Sequence, residues 1–177
     1  MSTTTSITVG ADPELFLIDS TGKYISAIDK IGGSKVKPRK IREDGCAVQE
    51  DNVAVEFNIP PCKDAQSFIE AIDFNLQYLT EHAKTMNLSL SITASAEFTR
   101  DELEDMRAFE FGCEPDYNAW TRHVNRRPHV DNPRLRSCGG HIHVGCTDIP
   151  PFEIVKAMDL FLGLRSVIWD KDTQRRQ

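Results

Sequence analysis

The chain has 177 residues, which is enough for one domain with a buried core. Its net charge of −6 argues against general nucleic-acid binding, which requires a basic surface. The N-terminus lacks the regions of a signal peptide, and no apolar run reaches membrane-spanning length. Since the five cysteines include no CxxC pair, we expect reduced thiols and a cytoplasmic location. The lack of a long apolar run leads us to expect no membrane partner.

The first third of the chain has the pattern of antiparallel strands. We expect residues 1–6 to be flexible and residues 7–177 to form a single domain. The segment ITVGADPELFLID (7–19) predicts a strand in which Pro13, lacking an N–H group, marks an edge, a bulge or a start. The segment YISAI (24–28) predicts a returning strand. Strict alternation in NVAVEFNIPP (52–61) predicts a strand with Glu56 on the face opposite its apolar residues.

Two helices are predicted in the remainder. Residues 64–86 have one apolar stripe, which includes Ile69, behind an N-cap at Asp64. The segment LSLSITASA (88–96) predicts a strand with Ile92 on its apolar face. Residues 150–169 begin with two prolines and are apolar nearly all round from Met158 onward, which predicts a second helix that is largely buried.

Three predicted strands carry polar residues at a spacing of two, which puts each pair on one face. These pairs are Asp12 with Glu14, Glu56 with Asn58, and His141 with His143. A bare carboxylate would be costly in the otherwise apolar strand around Glu56. Oxygen ligands with imidazole suit Mg²⁺ or Mn²⁺, so the three strands together predict a metal site.

Zinc is the main alternative, because Cys138, His141, His143 and Cys146 lie within nine residues. Structural zinc sites usually take ligands from two chain segments with characteristic spacings. In one strand, moreover, the odd separation of each cysteine from the histidines points the thiols to the other face.

Two further segments suggest anion binding. The segment GGSK (32–35) lacks the spacing of a P-loop, so a surface loop is the simpler interpretation of Lys35 and a phosphate contact the alternative. Gly139 and Gly140 would let the backbone approach a ligand closely. The arginine-rich stretch from Arg122 to Arg136 predicts a solvated loop, or a pocket for phosphate or carboxylate.

Taken together, these segments resemble a known family. GADPELFLID and GGHIHVG are similar to strands of glutamine synthetases and type-2 glutamate–cysteine ligases, and NVAVEFNIPP is similar to a metal-glutamate strand of those ligases. The branch with the best resemblance is the phage and bacterial COOH–NH2 ligases, or type-2 amidoligases. Its members show GADPEL, VAVEFNIPP, GCEPDYNAW and RS-x-GGHIHVG in this order. The resemblance covers the chain from about residue 8 onward.

The resemblance implies an α+β fold of the glutamine-synthetase type, with a curved, mostly antiparallel sheet and helices packed on one face. It also implies an ATP-dependent ligase that joins a carboxylate to an amine through an acyl phosphate. Small-molecule or peptide carboxylates and amines would be its substrates, and a homo-oligomer is left open. Family members continue past the second helix with another acidic ligand. We therefore expect the C-terminal part of the domain to be missing, which would leave the chain inactive alone or dependent on a partner chain.

Roles for individual residues follow from the same resemblance. It implies Asp12, Glu14 and Glu56 as ligands of Mg²⁺ or Mn²⁺, His141 as a ligand of the second metal ion or a contact of the γ-phosphate, and His143 as a contact of the nucleotide. From their own chemistry, Lys35, Gly139 and Gly140 are further candidates for contact with ATP. Glu14, Glu56, His141 and Arg136 would take part in catalysis, with Arg136 on phosphate or a substrate carboxylate. Asp12 stands where the larger families have glutamate, so its shorter side chain would weaken that ligand or insert a water.

Two other functions remain open. The first is a zinc-binding structural or interaction module built from Cys138, His141, His143 and Cys146. The second is a metal-dependent hydrolase that uses the same carboxylates and histidines.

Overall fold

The computed structural model describes residues 6–110, 117–126 and 131–172. The flexible N-terminus predicted for residues 1–6 lies outside these ranges except for Ser6. Residues 112–116 of the GCEPDYNAW motif also lie outside them, as do residues 127–130 of the arginine-rich stretch.

Within these ranges the chain alternates short strands with a few helices. The elements are β1 Thr8–Ala11, β2 Glu14–Ile18, β3 Tyr24–Ile25, β4 Arg39–Lys40, β5 Ala47–Asp51, β6 Ala54–Asn58, α1 Ala65–Thr85, β7 Ser89–Ser91, β8 Ser95–Glu97, β9 Leu135–Ser137, β10 Ile142–Gly145, α2 Pro151–Met158 and α3 Leu164–Trp169. Two 3₁₀ turns follow β8, at Asp101–Leu103 and Met106–Phe109, and a π-helical turn, Asp159–Gly163, joins α2 to α3.

The central feature is a six-stranded antiparallel sheet in the order β3–β2–β6–β5–β4, with β7 also pairing with β2. The strands β1 and β10 form a second antiparallel pair, and β8 and β9 a third. The break between β1 and β2 falls at Asp12 and Pro13, as the missing N–H of proline predicts. The backbone beyond β6 still bonds to Ala11 across this break, which curls the sheet. The prediction of an α+β fold with a curved antiparallel sheet is confirmed.

The long helix α1 covers one face of this sheet. It begins after Asp64, whose carboxylate accepts a hydrogen bond from the backbone N–H of Ser67 at 2.8 Å. Its buried residues Ala71, Leu79 and Ala83 pack against apolar side chains of β2, β5 and β6. The predicted N-cap and helix are confirmed, whereas Ile69, predicted to lie in the stripe, is half exposed.

The opposite face of the sheet carries both buried apolar side chains and polar side chains. Phe16 and Ala54 on this face join a second core cluster with Phe98, Leu103 and Ala108 of the 3₁₀-turn region. Glu14 lies two residues before Phe16 in β2, and Glu56 lies two residues after Ala54 in β6. Alternation within each strand thus places an apolar cluster and a carboxylate cluster side by side.

Two predictions about the second half of the chain are wrong. The single strand predicted for residues 88–96 is divided into β7 and β8, and Ile92 between them is exposed. The segment from Met158 to Trp169 has no buried residue, and Phe161 is 74% exposed. Its apolar pattern indicates a helix that requires a covering surface, and the described residues do not supply one. None of the described helices combines the length and apolar content that crossing a bilayer requires.

Gly33 is required where the loop before β4 packs on the sheet. Its φ of +82° is strained for other residues, and a Cβ would lie 2.5 Å from the carbonyl oxygen of Val48. We expect Gly33→Ala to lower the free energy of unfolding by about 3 kcal/mol in urea titrations. Gly22 is the matched control, because it has a φ of +85° and a Cβ added there would meet no atom within 4 Å. Equal losses of stability for Gly33→Ala and Gly22→Ala would contradict a steric role for Gly33.

Candidate metal centre

The register of the central sheet aligns three polar side chains across neighbouring strands. Glu14 of β2 is directly opposite Glu56 of β6, and Glu56 is opposite Gln49 of β5. Asp51 lies two residues beyond Gln49 and so shares its face. Strand pairing thereby brings together residues that are distant in the sequence, such as Glu14 and Asp51.

Three carboxylates converge at this position. One side-chain oxygen from each of Glu14, Asp51 and Glu56 lies within 4.8 Å of the other two. Glu56 is 7% exposed, while Glu14 and Asp51 are partly exposed. An arrangement of oxygen ligands without thiols fits a hard cation such as Mg²⁺ or Mn²⁺.

Two of these carboxylates are fixed by hydrogen bonds from neighbouring elements. The backbone N–H of Gly139 donates to Glu14 at 2.8 Å, and the amide of Gln49 donates to Glu56 at 2.7 Å. The amide of Asn58 in turn donates to the Gln49 carbonyl oxygen at 3.4 Å. These bonds orient the two glutamates and leave acceptor capacity for a cation.

The electrostatics of the cluster favour the arrival of a positive charge. Burial raises the pKa of Glu56 to about 7, and the negative charges of Asp51, Asp12 and Glu14 add to this, against the Gln49 hydrogen bond. Burial also raises the pKa of Glu14, opposed by its bond from Gly139. A divalent cation would offset both the burial penalty and the mutual repulsion.

Asp12 forms a separate group with the two histidines. Its carboxylate accepts from the backbone N–H of His141 at 2.7 Å and lies 3.1 Å from Nε2 of His143 and 3.3 Å from Nδ1 of His141. Asp12 is only 14% exposed at its side chain, whereas the two imidazoles are 55% and 63% exposed. The prediction that both histidines share a face is confirmed. Asp12 and His141 are not in the described three-carboxylate group, and their role as metal ligands stays a prediction.

The glycine pair before the histidines permits a close approach between protein segments. A Cβ on Gly140 would lie 3.0 Å from the Cα atom of Pro13. The backbone carbonyls of Gly139 and His141 accept from the N–H groups of Glu14 and Asp12. Gly140 therefore joins β10 to the β1–β2 break where there is little room for a side chain, which explains a glycine at this position without a ligand.

The two cationic residues that are predicted to contact anions, Lys35 and Arg136, have different surroundings. Lys35 is exposed in the loop that runs beside β5. Arg136 is half-buried, and it donates through Nε to the carbonyl oxygen of Ala108 and through Nη1 to those of Pro133 and Leu135. Burial lowers its pKa. These contacts hold backbone segments together, and a contact of Arg136 with substrate stays a prediction.

The cysteines next to the histidines are not gathered with them. Cys138 is buried with Phe16 and Ala96 in the second core cluster. In the described part of the chain, Cys138, His141, His143 and Cys146 do not form a group with ligand atoms within 4.8 Å of one another. The geometry therefore gives the zinc hypothesis no support.

Asp51 and Gln49 are the site residues that sequence reasoning missed. The signal was present in AVQED, where both residues share one face of a short strand directly before NVAVEFN. Without the register of β5 against β6, however, nothing distinguished this strand from a polar turn.

A groove of about 380 Å³ lies at the start of α1, among Arg42, Asp44, Lys63 and Asp64. Arg42 pairs with Asp44 at 2.6 Å, and Asp64 caps the helix, so these three charged groups already have partners. The groove is lined by none of the three clustered carboxylates.

Comparison of the chain with protein-family models, with curated proteins and with solved structures finds no match.

Proposed function

We propose that this chain is a domain of an ATP-dependent carboxylate–amine ligase with a glutamine-synthetase-like fold, which forms an amide or peptide bond. The observation that carries the proposal is the cluster of Glu14, Asp51 and Glu56 on a polar sheet face, with the Asp12–histidine group beside it. The resemblance of GADPEL, VAVEFNIPP and GGHIHVG to the COOH–NH2 ligases supplies the reaction class.

The proposed roles divide the site into two parts. Glu14, Asp51 and Glu56 hold Mg²⁺ or Mn²⁺. His141 contributes to a second metal ion or to the γ-phosphate, and His143 contacts the nucleotide near Gly139 and Gly140. The enzyme acts on small-molecule or peptide substrates in a bacterial or phage-infected cytoplasm.

The reaction requires positioning and charge neutralisation more than covalent chemistry by the protein. The substrate carboxylate attacks the γ-phosphorus, the bond to ADP breaks, and the amine then displaces phosphate from the acyl phosphate. Metal ions held by Glu14, Asp51 and Glu56 would neutralise charge on the transferred phosphoryl group. No side-chain nucleophile is needed, and the fixed carboxylates serve to place the cations.

Nucleotide binding tests the proposal directly. We expect Glu14→Ala and Glu56→Ala each to weaken Mg²⁺–ATP binding at least 100-fold in calorimetric titrations, because each removes a cation ligand. Glu81→Ala on the exposed side of α1 is the control and should bind like the unmodified chain.

Unchanged nucleotide affinity in both site variants would contradict the assignment of Glu14 and Glu56 as ligands of the cation. Phosphate release from simple esters without ATP, lost in the same variants, would favour the metal-dependent hydrolase instead.

A further inference from the structure

A basic hairpin is held beside the carboxylate cluster, and we define it as residues 34–37 (SKVK). The N–H of Ser34 donates to the carbonyl of Lys37 at 3.0 Å, and the N–H of Lys37 donates back at 2.9 Å. Ser34 also bridges in parallel to Glu50 of β5, the residue directly before Asp51. The hairpin thus lies beside the Glu50 end of β5, next to one member of the cluster.

The base of the hairpin is anchored at several points. The carboxylate of Glu50 accepts from the N–H groups of Ile31 and Gly32 at 3.2 and 2.8 Å. Gly33 fits against backbone atoms of Val48 and Arg39 with no room for a side chain. These contacts anchor the base of the hairpin on the sheet beside β5.

The charge of this segment is opposite to that of the whole protein. Residues 30–42 contain six basic residues and no acidic one, in a chain of net charge −6. Lys35, Lys37 and Lys40 are exposed and, among the residues that the structure describes, form no ion pair. Val36 between the first two is 96% exposed. Exposed lysines around an apolar side chain form a surface suited to an anionic partner with some apolar character.

The hairpin lies at the opposite end of the polar row from the proposed nucleotide contacts. Gly139 flanks Glu14 at one end, followed by Glu56, Gln49 and the hairpin that bridges to Glu50. At about 4.8 Å per strand, the two ends are roughly 15–20 Å apart, with the carboxylates between them. In-line phosphoryl transfer requires the attacking oxygen and the leaving group on opposite sides of the phosphorus. With the nucleotide at the glycine end, the attacking carboxylate must come from the hairpin end.

We propose that the basic hairpin binds the carboxylate substrate, and that this substrate is an acidic peptide. Lys35 and Lys37 contact side-chain carboxylates of the peptide while its reacting carboxylate reaches the cluster. This inference rests on the proposed function for the direction of approach. It assigns Lys35 to the substrate instead of to ATP.

The test measures binding of fluorescein-labelled hexaglutamate by anisotropy at 20 and 200 mM salt. We expect the unmodified chain to bind and to lose affinity with salt. The double variant Lys35→Glu/Lys37→Glu should bind at least tenfold more weakly, because attraction becomes repulsion at both contacts. The control Lys63→Glu/Lys84→Glu makes the same change of net charge with exposed lysines near the two ends of α1 and should stay within twofold.

Mg²⁺–ATP binding by the hairpin variant distinguishes carboxylate from phosphate recognition. We expect the affinity of this variant for Mg²⁺–ATP to stay within twofold of that of the unmodified chain. Loss of ATP binding with peptide affinity retained would overturn the assignment, as would equal weakening in both double variants or no peptide binding at low salt. If the chain binds the peptide through the hairpin but binds no ATP, the peptide-binding role of the hairpin is supported and the proposed ligase function is contradicted.

Discussion

The double variant Asp51→Asn/Glu56→Gln is expected to bind Mn²⁺ at least 100-fold more weakly than the unmodified chain. Two of the three clustered carboxylates lose their charge while the volume of each side chain is kept. Affinity for hard cations depends strongly on the number of charged oxygen ligands. The measurement is free Mn²⁺ by electron paramagnetic resonance at pH 8, which lies above the pKa of about 7 of Glu56.

The control for this variant is Glu70→Gln/Asp73→Asn, which makes the same chemical changes on exposed positions of α1. It should bind Mn²⁺ as the unmodified chain does. The thermal midpoint should also rise with Mn²⁺ in the control and stay constant in the site variant, because only a cation bound to the folded state stabilises it. Equal Mn²⁺ affinity in the two double variants would exclude the cluster as the cation site.

Stability without metal is expected to fall between about pH 4.5 and pH 7. The folded pKa of Glu56 is raised to about 7 from an ordinary value of 4.5, so the folded state binds more protons than the unfolded state in this window. The stabilisation that protonated Glu56 contributes to the folded state is fully present below the unfolded pKa. It is lost as the pH rises through the folded pKa. The shift corresponds to about 3 kcal/mol, and the raised pKa of Glu14 acts in the same direction.

Glu56→Gln should remove most of this fall, because glutamine stays neutral and retains an oxygen for the Gln49 amide. We expect the variant to be more stable than the unmodified chain by about 2–3 kcal/mol at pH 8 and nearly equal at pH 4.5, in urea titrations with EDTA. Saturating Mn²⁺ should restore stability to the unmodified chain above pH 7 and leave the variant nearly unchanged. A pH profile that is the same in both proteins would show that Glu56 titrates normally in the folded state.

Local sequence pattern was sufficient for the elements whose formation depends on near neighbours. The N-cap at Asp64 and the apolar stripe of α1 are determined within a few residues, and both were predicted correctly. The break at Pro13 follows from a missing N–H group. The shared face of His141 and His143 follows from the period of a strand.

The same local patterns failed where exposure depends on distant elements. Ile69 and Ile92 are apolar at positions where the described fold places no covering surface. Phe161 and its helical neighbours are the clearest case, since their pattern indicates burial and the described residues leave them exposed.

By itself, the sequence determined which residues carry charge and which of them share a face within one strand. It therefore identified Glu14, Glu56 and the two histidines as candidates. Only the tertiary structure decided which faces meet, because cross-strand register depends on pairing between distant segments. That register added Asp51 and Gln49 to the cluster, directed Asp12 to the histidines, and placed the lysine hairpin at the opposite end of the row.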